Sequence, residues 1–205
     1  MFNKPLLPHT LEDMPAARTH LREALSLLSS LIEDEAFISS VDSASEALSH
    51  CLQSGSKILS CGNGGSMSDA MHFAEELSGR FREDRPAYAA IALSSPAHIT
   101  CVANDYGFDK IFSRGVEALG RPGDVLLAIS TSGNSPNILE AARMANTKGM
   151  KVISLTGGDG GELAFLSDFE VRIPWDGYSD RIQEMHIKCI HAMIDFIEKS
   201  FRSNS

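Results

Sequence analysis

The segment Ser130-Thr-Ser-Gly-Asn-Ser135 crowds four hydroxyl side chains between an apolar run, Asp124-Val-Leu-Leu-Ala-Ile129, and a segment that opens Pro136-Asn-Ile-Leu-Glu140. Where a buried strand empties into a helix, the first helical N–H groups have no intrahelical partner and stand at the positive end of the dipole. The hydroxyls of Ser130, Thr131, Ser132 and Ser135 add donors to that end, which is the chemistry an anion such as phosphate requires. No lysine stands in the turn, so it is not a Walker-type loop, and neutral donors suit a phosphorylated metabolite better than a nucleoside triphosphate. The plainer reading is an ordinary N-cap, where Ser and Asn are favoured in any case.

A second turn, Cys61-Gly-Asn-Gly-Gly-Ser66, follows another apolar run. Gly62, Gly64 and Gly65 allow close backbone approach to a ligand or a positive φ, and Asn63 offers a donor and an acceptor to a hydroxyl. A dinucleotide fingerprint needs a third small residue where the chain has Met67, and no acid follows a clear second strand, so that alternative is weak. On the next helix His72 and Glu76 are four residues apart and share a face, with side chains leaning back over the turn. They are either an imidazole–carboxylate pair for proton transfer or an i,i+4 surface pair worth a few tenths of a kcal/mol. Glu75 lies on the other side of His72. On the closing helix Gln183 and His191 are eight residues apart, so their faces differ by about 80° and both reach a ligand lying obliquely. His186, between them, reads as a packed or solvated imidazole.

The elements that must hold these residues follow from periodicity. Helical spacing runs from about Leu11 to Gln53 in two helices, with Leu21, Leu25, Leu28 and Ile32 on one stripe and Phe37, Val41, Ala44 and Leu48 on the next. Strands are expected at 57–61, 88–93, 124–129, 150–155 and 169–173. Helices are expected at 67–79, ended by Gly79, at 96–102 and 108–119, and from Pro136 onward. Helices recurring between strands mean a parallel sheet covered on both faces. The closing helix, from about Ser179 to Ser200, leaves little purely polar face; with the two leading helices it predicts packing against another subunit, a homo-oligomer.

The 205 residues, 43% of them hydrophobic, suffice for one core, giving a single domain with N-terminal helices in 1–55 and the α/β core and closing helix in 56–205. A net charge of −9, from 27 acids and 18 bases without blocks of like sign, argues against a nucleic-acid surface and for small-molecule chemistry. Cys51, Cys61, Cys101 and Cys189 show no metal-ligand spacing, and each sits in an apolar or strand-like context that suits a reduced thiol and the cytoplasm. The N-terminus lacks a continuous apolar region, and no stretch approaches the ~20 apolar residues of a membrane span.

The stretches CGNGGS (61–66), AMHFAEELSGRFREDRP (70–86), ANDYGFDKIFSRGVEALGRPGDVLLAISTSGNS (103–135), LTGGDGGEL (155–163) and DRIQEMHIKCIH (180–191) together resemble the phosphoheptose isomerases, a family built on the sugar isomerase (SIS) domain. The resemblance covers nearly the whole chain. It implies a flavodoxin-like α/β fold with a five-stranded parallel sheet flanked by helices, extra N-terminal helices and a long C-terminal helix. It further implies an enzyme that interconverts sedoheptulose 7-phosphate and D-glycero-D-manno-heptose 7-phosphate through an enediol, toward the heptose of bacterial lipopolysaccharide core.

In that family pattern Glu76 is the base that shuttles a proton between C1 and C2, and His191 is its acid/base counterpart. Asn63, Gly64, Gly65, Asn104 and Asp105 meet sugar hydroxyls; Ser130, Thr131, Ser132 and Ser135 take the phosphate, and Gln183 also meets substrate. The resemblance implies one zinc per subunit on His72, Glu76, Gln183 and His191, with partial occupancy because an amide is a poor zinc ligand. It also implies tetramers with sites at subunit borders. For Asn104 and Asp105 the local alternative is an Asx turn before Tyr106 and Gly107. Arg80, Asp180 and Arg181 lie near the site elements without an assigned role. Met67 and Ser68 depart from some relatives, and the extension through about Asp13 matches no pattern. Related SIS proteins include a DnaA-binding replication regulator and phosphosugar-sensing modules that lack catalysis; the joint presence of His72, Glu76, Gln183 and His191 favours the enzyme.

Overall fold

The structure, a computed structural model, describes residues 17–203; the first residues of the expected leading helix, 11–16, and the N-terminal extension lie outside them. Two helices lead, α1 (Ala17–Ile32) and α2 (Glu35–Gln53). Asp34 starts the second by accepting the Ala36 and Phe37 N–H groups, a cap worth about 1 kcal/mol. The chain then alternates: β1 (Ile58–Gly62), α3 (Gly65–Ser78), β2 (Ala90–Ala92), α4 (Pro96–Tyr106), a single 3-10 turn (Phe108–Lys110), α5 (Ile111–Leu119), β3 (Val125–Ser130), α6 (Pro136–Thr147), β4 (Lys151–Gly157), α7 (Gly161–Leu166), β5 (Phe169–Ile173) and α8 (Ser179–Ser203).

All five strands are parallel, in the order β2-β1-β3-β4-β5. β1 and β3 are buried along their whole length because both faces are covered, which is why they read as continuous apolar runs. Alternate side chains divide between two cores. Val125, Leu127 and Ile129 join Phe73, Leu77, Ile190 and Ile194 under α1, α2, α3 and α8, whereas Leu126 and Ala128 join Phe112, Val116, Ile138 and Ala142 under α4 to α7. Asp124, buried at the start of β3, accepts from the N–H groups of Lys57 (3.0 Å) and Arg121 (2.9 Å) and pairs with the Lys57 ammonium, fixing β1 against β3.

The predicted architecture is present, with local differences. α4 runs on to Tyr106, so Asn104 and Asp105 occupy its last turn and not an Asx turn. Gly79 ends α3 at φ −92°, without the left-handed cap, and its N–H donates to the Glu75 carbonyl. α7 falls in a glycine-rich segment to which the sequence reading assigns no element. Cys101 is exposed on α4, unlike the other three cysteines, which are buried.

The apolar stripe of α8 is largely satisfied inside the protomer: Ile182, Met185, Cys189, Ile190, Met193, Ile194 and Ile197 are all buried. On α1, by contrast, Leu27 and Leu31 face the core but Leu21, Leu25 and Ile32 are 71%, 62% and 56% exposed. Among the described residues no helix is long and apolar enough to cross a membrane.

His186 lies in the middle of α8, fully buried, with Nε2 2.9 Å from the Thr156 carbonyl and Nδ1 without a partner. It therefore anchors α8 to the carboxyl end of β4 as a neutral imidazole donating through Nε2–H. Burial pushes its pKa down to about 4 from 6.5. Between these values the unfolded chain binds a proton that the folded chain refuses, so stability falls as pH drops from about 6.5 toward 4, by at most about 1.4 kcal/mol per pH unit. His186→Gln keeps a donor for Thr156 and removes the titration. Urea midpoints at pH 7 and pH 4.5 will differ less in this variant than in the unsubstituted protein; equal acid losses refute the assignment.

Candidate active site

The strand order reverses between β1 and β3, which leave the sheet centre in opposite directions of sequence, and at such a point the loops beyond the carboxyl ends part to form a crevice. The glycine turn (61–66) and the hydroxyl turn (130–135) flank that crevice, because Gly62 pairs in register with Ile129.

The hydroxyl turn is tightly built. Ser130, 3% exposed, donates its hydroxyl to Ser135 Oγ at 3.1 Å. Ser135 is the N-cap residue of α6, yet its side chain makes no capping hydrogen bond. The plain-cap reading of this turn therefore fails on geometry. Pro136 opens α6, where a missing N–H costs nothing.

The turn is also clamped to the first turn of α7. The Leu163 N–H donates to the Gly133 carbonyl at 2.9 Å, and the Glu162 N–H to Asn134 Oδ1 at 2.9 Å. Asn134 Nδ2 returns to the Ser132 carbonyl, also at 2.9 Å. Gly133 has φ +63°, and a β-carbon there would run into the Gly160 carbonyl oxygen. A hollow of about 320 Å³, within the range of small-molecule sites, opens beside the turn. Thr131, Ser132, Gly158, Trp175, Ser179 and Ile182 are among its walls.

Three of the titratable candidates meet where α3 packs on α8. His72 Nε2 stands 3.1 Å from Glu76 Oε1 and 3.1 Å from His191 Nε2. Phe81 stacks on the His191 ring, with centroids 5.7 Å apart and planes 30° from parallel. Burial, and then the neighbouring His72, hold the His191 pKa below its ordinary value, which favours the neutral imidazole.

Gln183 packs on the first residue of α3: a β-carbon on Gly65 would stand 2.6 Å from its Oε1. From Gly65 to His72 is seven residues and from Gln183 to His191 eight, rises of about 10.5 and 12 Å, so the two helices run side by side in the same direction. Parallel packing is what brings both residues of α8 onto α3.

The donor set suits a divalent ion. The ligand atoms of His72, Glu76 and His191 all lie within 4.8 Å of one another, and the 3.1 Å spacings approach the ~3.3 Å between donors of a tetrahedral zinc with bonds of about 2.0–2.1 Å. The other sequence candidates separate. Glu75 is exposed, and His186 is committed to Thr156. Asn104 and Asp105 are exposed and bond to each other at 2.7 Å; neither hydrogen-bonds to the two turns. Arg181, buried, pairs with Glu23 and Glu184 and so ties α1 to α8. Asp180 accepts the Arg181 N–H, and Arg80 is exposed.

Sequence reasoning missed three supports. Asn134 clamps the hydroxyl turn. Asn137, 1% exposed, exchanges two 2.9 Å hydrogen bonds with Asn63. Arg85 donates to the carbonyls of Glu76 (2.6 Å) and Leu77 (2.8 Å) in the last turn of α3 and pairs at 2.8 Å with the buried Glu198 of α8. It thereby satisfies the helix end that carries Glu76 and pins it to the helix that carries His191. An arginine just beyond a helix C-terminus is a signal the sequence does offer; the two asparagines carry none.

The clamp on the hydroxyl turn is directly testable. Gly133→Ala combines a left-handed φ with a collision against backbone, and is expected to lower stability by about 2–3 kcal/mol. The measurement is the shift in urea midpoint; an unchanged midpoint refutes the clamp.

A sequence profile of the SIS domain matches residues 19–157. The phosphoheptose isomerase of Pectobacterium atrosepticum is 58% identical over 182 residues, covering 89% of this chain and 94% of that protein. Among solved structures, a phosphoheptose isomerase from Neisseria gonorrhoeae superposes with a TM-score of 0.85 at 42% identity, covering 93% of this chain and 100% of the other. One from Francisella tularensis gives 0.84 at 40% identity, covering 89% and 96%. Matched along nearly its whole length in sequence and in fold, the chain belongs to the phosphoheptose isomerase family of SIS-domain proteins.

Proposed function

We propose that this protein is an aldose–ketose isomerase that interconverts sedoheptulose 7-phosphate and D-glycero-D-manno-heptose 7-phosphate, in the synthesis of heptose for lipopolysaccharide core. The observation that carries the reading is the meeting of His72, Glu76 and His191 on two helices that rise beside the crevice between the two turns. A binding module needs the turns alone. Kinship with proteins named phosphoheptose isomerase supplies the substrate.

The hydroxyls of Ser130, Thr131, Ser132 and Ser135, at the positive end of the α6 dipole, bind the terminal phosphate. Asn63, Gly64, Gly65, Asn104, Asp105 and Gln183 receive the sugar hydroxyls, with half the hydrogen-bonding capacity of the Asn63 amide already held by Asn137. The Glu76 carboxylate removes the C1 proton of the ketose while His191 delivers a proton to O2, giving the enediol. Loss of the O1 proton to His191 and return of the Glu76 proton to C2 give the aldehyde, so one proton moves from C1 to C2 and none is consumed. His72, Glu76, His191 and Gln183 would hold a zinc ion, which would supply Lewis-acid polarisation of the substrate oxygens. The open apolar stripe of α1 supports a homo-oligomer, a tetramer with sites at subunit borders, built through the N-terminal helices. The same reading puts the protein in the cytoplasm, without nucleic-acid or membrane partners.

Incubation with sedoheptulose 7-phosphate is expected to yield the aldose; absence of turnover with retained binding of the sugar phosphate favours a sensing module. Glu76→Gln, which keeps shape but not basicity, is expected to lower kcat by about 10²-fold or more with KM changed little. Normal turnover by that variant sinks the assignment. Metal analysis is expected to find up to one zinc per chain, with activity falling on chelation and returning with zinc; full activity in metal-free protein makes the ion dispensable.

A further inference from the structure

The two turns are cross-linked by a reciprocal amide pair. Asn63 Nδ2 donates to Asn137 Oδ1 at 2.9 Å, and Asn137 Nδ2 donates to Asn63 Oδ1 at 2.9 Å. Among the described residues these are the only side-chain hydrogen bonds that cross from the glycine turn to the start of α6. Asn137 is 1% exposed, so its amide serves the pair and not a ligand in the open crevice. A buried amide left without partners is costly, by about 1–3 kcal/mol, so the pair holds its geometry firmly.

The position of the pair gives it a use. Asn63 stands two residues before Gly65, the root of the helix carrying His72 and Glu76. Asn137 stands two residues after Ser135, at the root of the helix that completes the hydroxyl turn. A phosphosugar bound as above is gripped at one end by the second root and attacked at the other by groups on the first. We propose that Asn137 is a positioning residue that, through Asn63, sets the span between the phosphate grip and the proton-transfer groups. The proposal rests on the isomerase reading, and concerns Asn137 alone as a residue without substrate contact. Small errors in such a span are expensive, because reacting groups must meet within about half an ångström.

The test compares KM for sedoheptulose 7-phosphate with the competitive inhibition constant of inorganic phosphate, in the unsubstituted protein and in Asn137→Ala. Neither constant depends on the fraction of folded enzyme, so simple destabilisation moves neither. The expected result is a KM at least fivefold higher with the phosphate constant within twofold, since the grip survives and the span does not. Asn137→Ser, which puts no charge into the buried site and keeps one hydrogen-bonding group for Asn63, is the second variant for the same measurement and is expected to show the same pattern with smaller amplitude. Both constants unchanged, or both rising together, overturns the proposal while leaving the isomerase reading intact. No turnover by the unsubstituted protein, or no competition by phosphate, overturns the isomerase reading and the proposal with it.

Discussion

Everything in the site depends on β1 and β3 being neighbours at the centre of the sheet while the chain continues from them toward opposite edges. A parallel sheet places every strand-to-helix turn on one edge, but adjacent turns usually crowd one another. At the reversal they do not, because the helices that follow β1 and β3 descend on opposite faces. The glycine turn and the hydroxyl turn are the two lips of that opening. Asp124 acts on this constraint from the far end of the strands: by holding Lys57 and Arg121 it sets the register that puts Gly62 beside Ile129.

The helix pair α3 and α8 turns this opening into a place for chemistry. Neither helix alone holds more than part of the cluster. Their parallel course, with Gln183 against Gly65 at one level and His191 against His72 at the next, brings the set together. Arg85 and Glu198 hold the far ends of the two helices, and His186 holds the middle of α8 to β4. On the proposed assignment, the geometry of proton transfer is therefore a property of helix packing, while ligand grip is a property of turns.

The sequence made most of this legible where physics leaves a periodic or local trace. Continuous burial of β1 and β3 writes an apolar run, and an i,i+4 spacing writes His72 and Glu76 onto one face. Other features left none. Whether Asn104 and Asp105 end a helix or form a turn depends on Tyr106 and Gly107, and α4 simply continued past the point where its apolar spacing fades. The exposure of Cys101 depends on which face of α4 packs inward. Asn63 and Asn137 are 74 residues apart, and nothing in either neighbourhood announces a partner. Of the helices read together as a surface for another subunit, α8 is largely consumed by α2, α3 and the sheet, whereas α1 leaves Leu21, Leu25 and Ile32 exposed.

The division of the molecule into two cores has a consequence for descent. The hydroxyl turn leads into α6, whose apolar side belongs to one core, whereas the imidazoles and the carboxylate stand on helices that belong to the other. Grip and reactivity are thus inherited in separate layers. On the proposed assignment, replacing His72, Glu76 and His191, none of them among the buried apolar residues, silences the chemistry and leaves the anchor for the ligand standing. On that assignment a receptor is a short mutational walk from an enzyme of this build, one that leaves both apolar cores untouched.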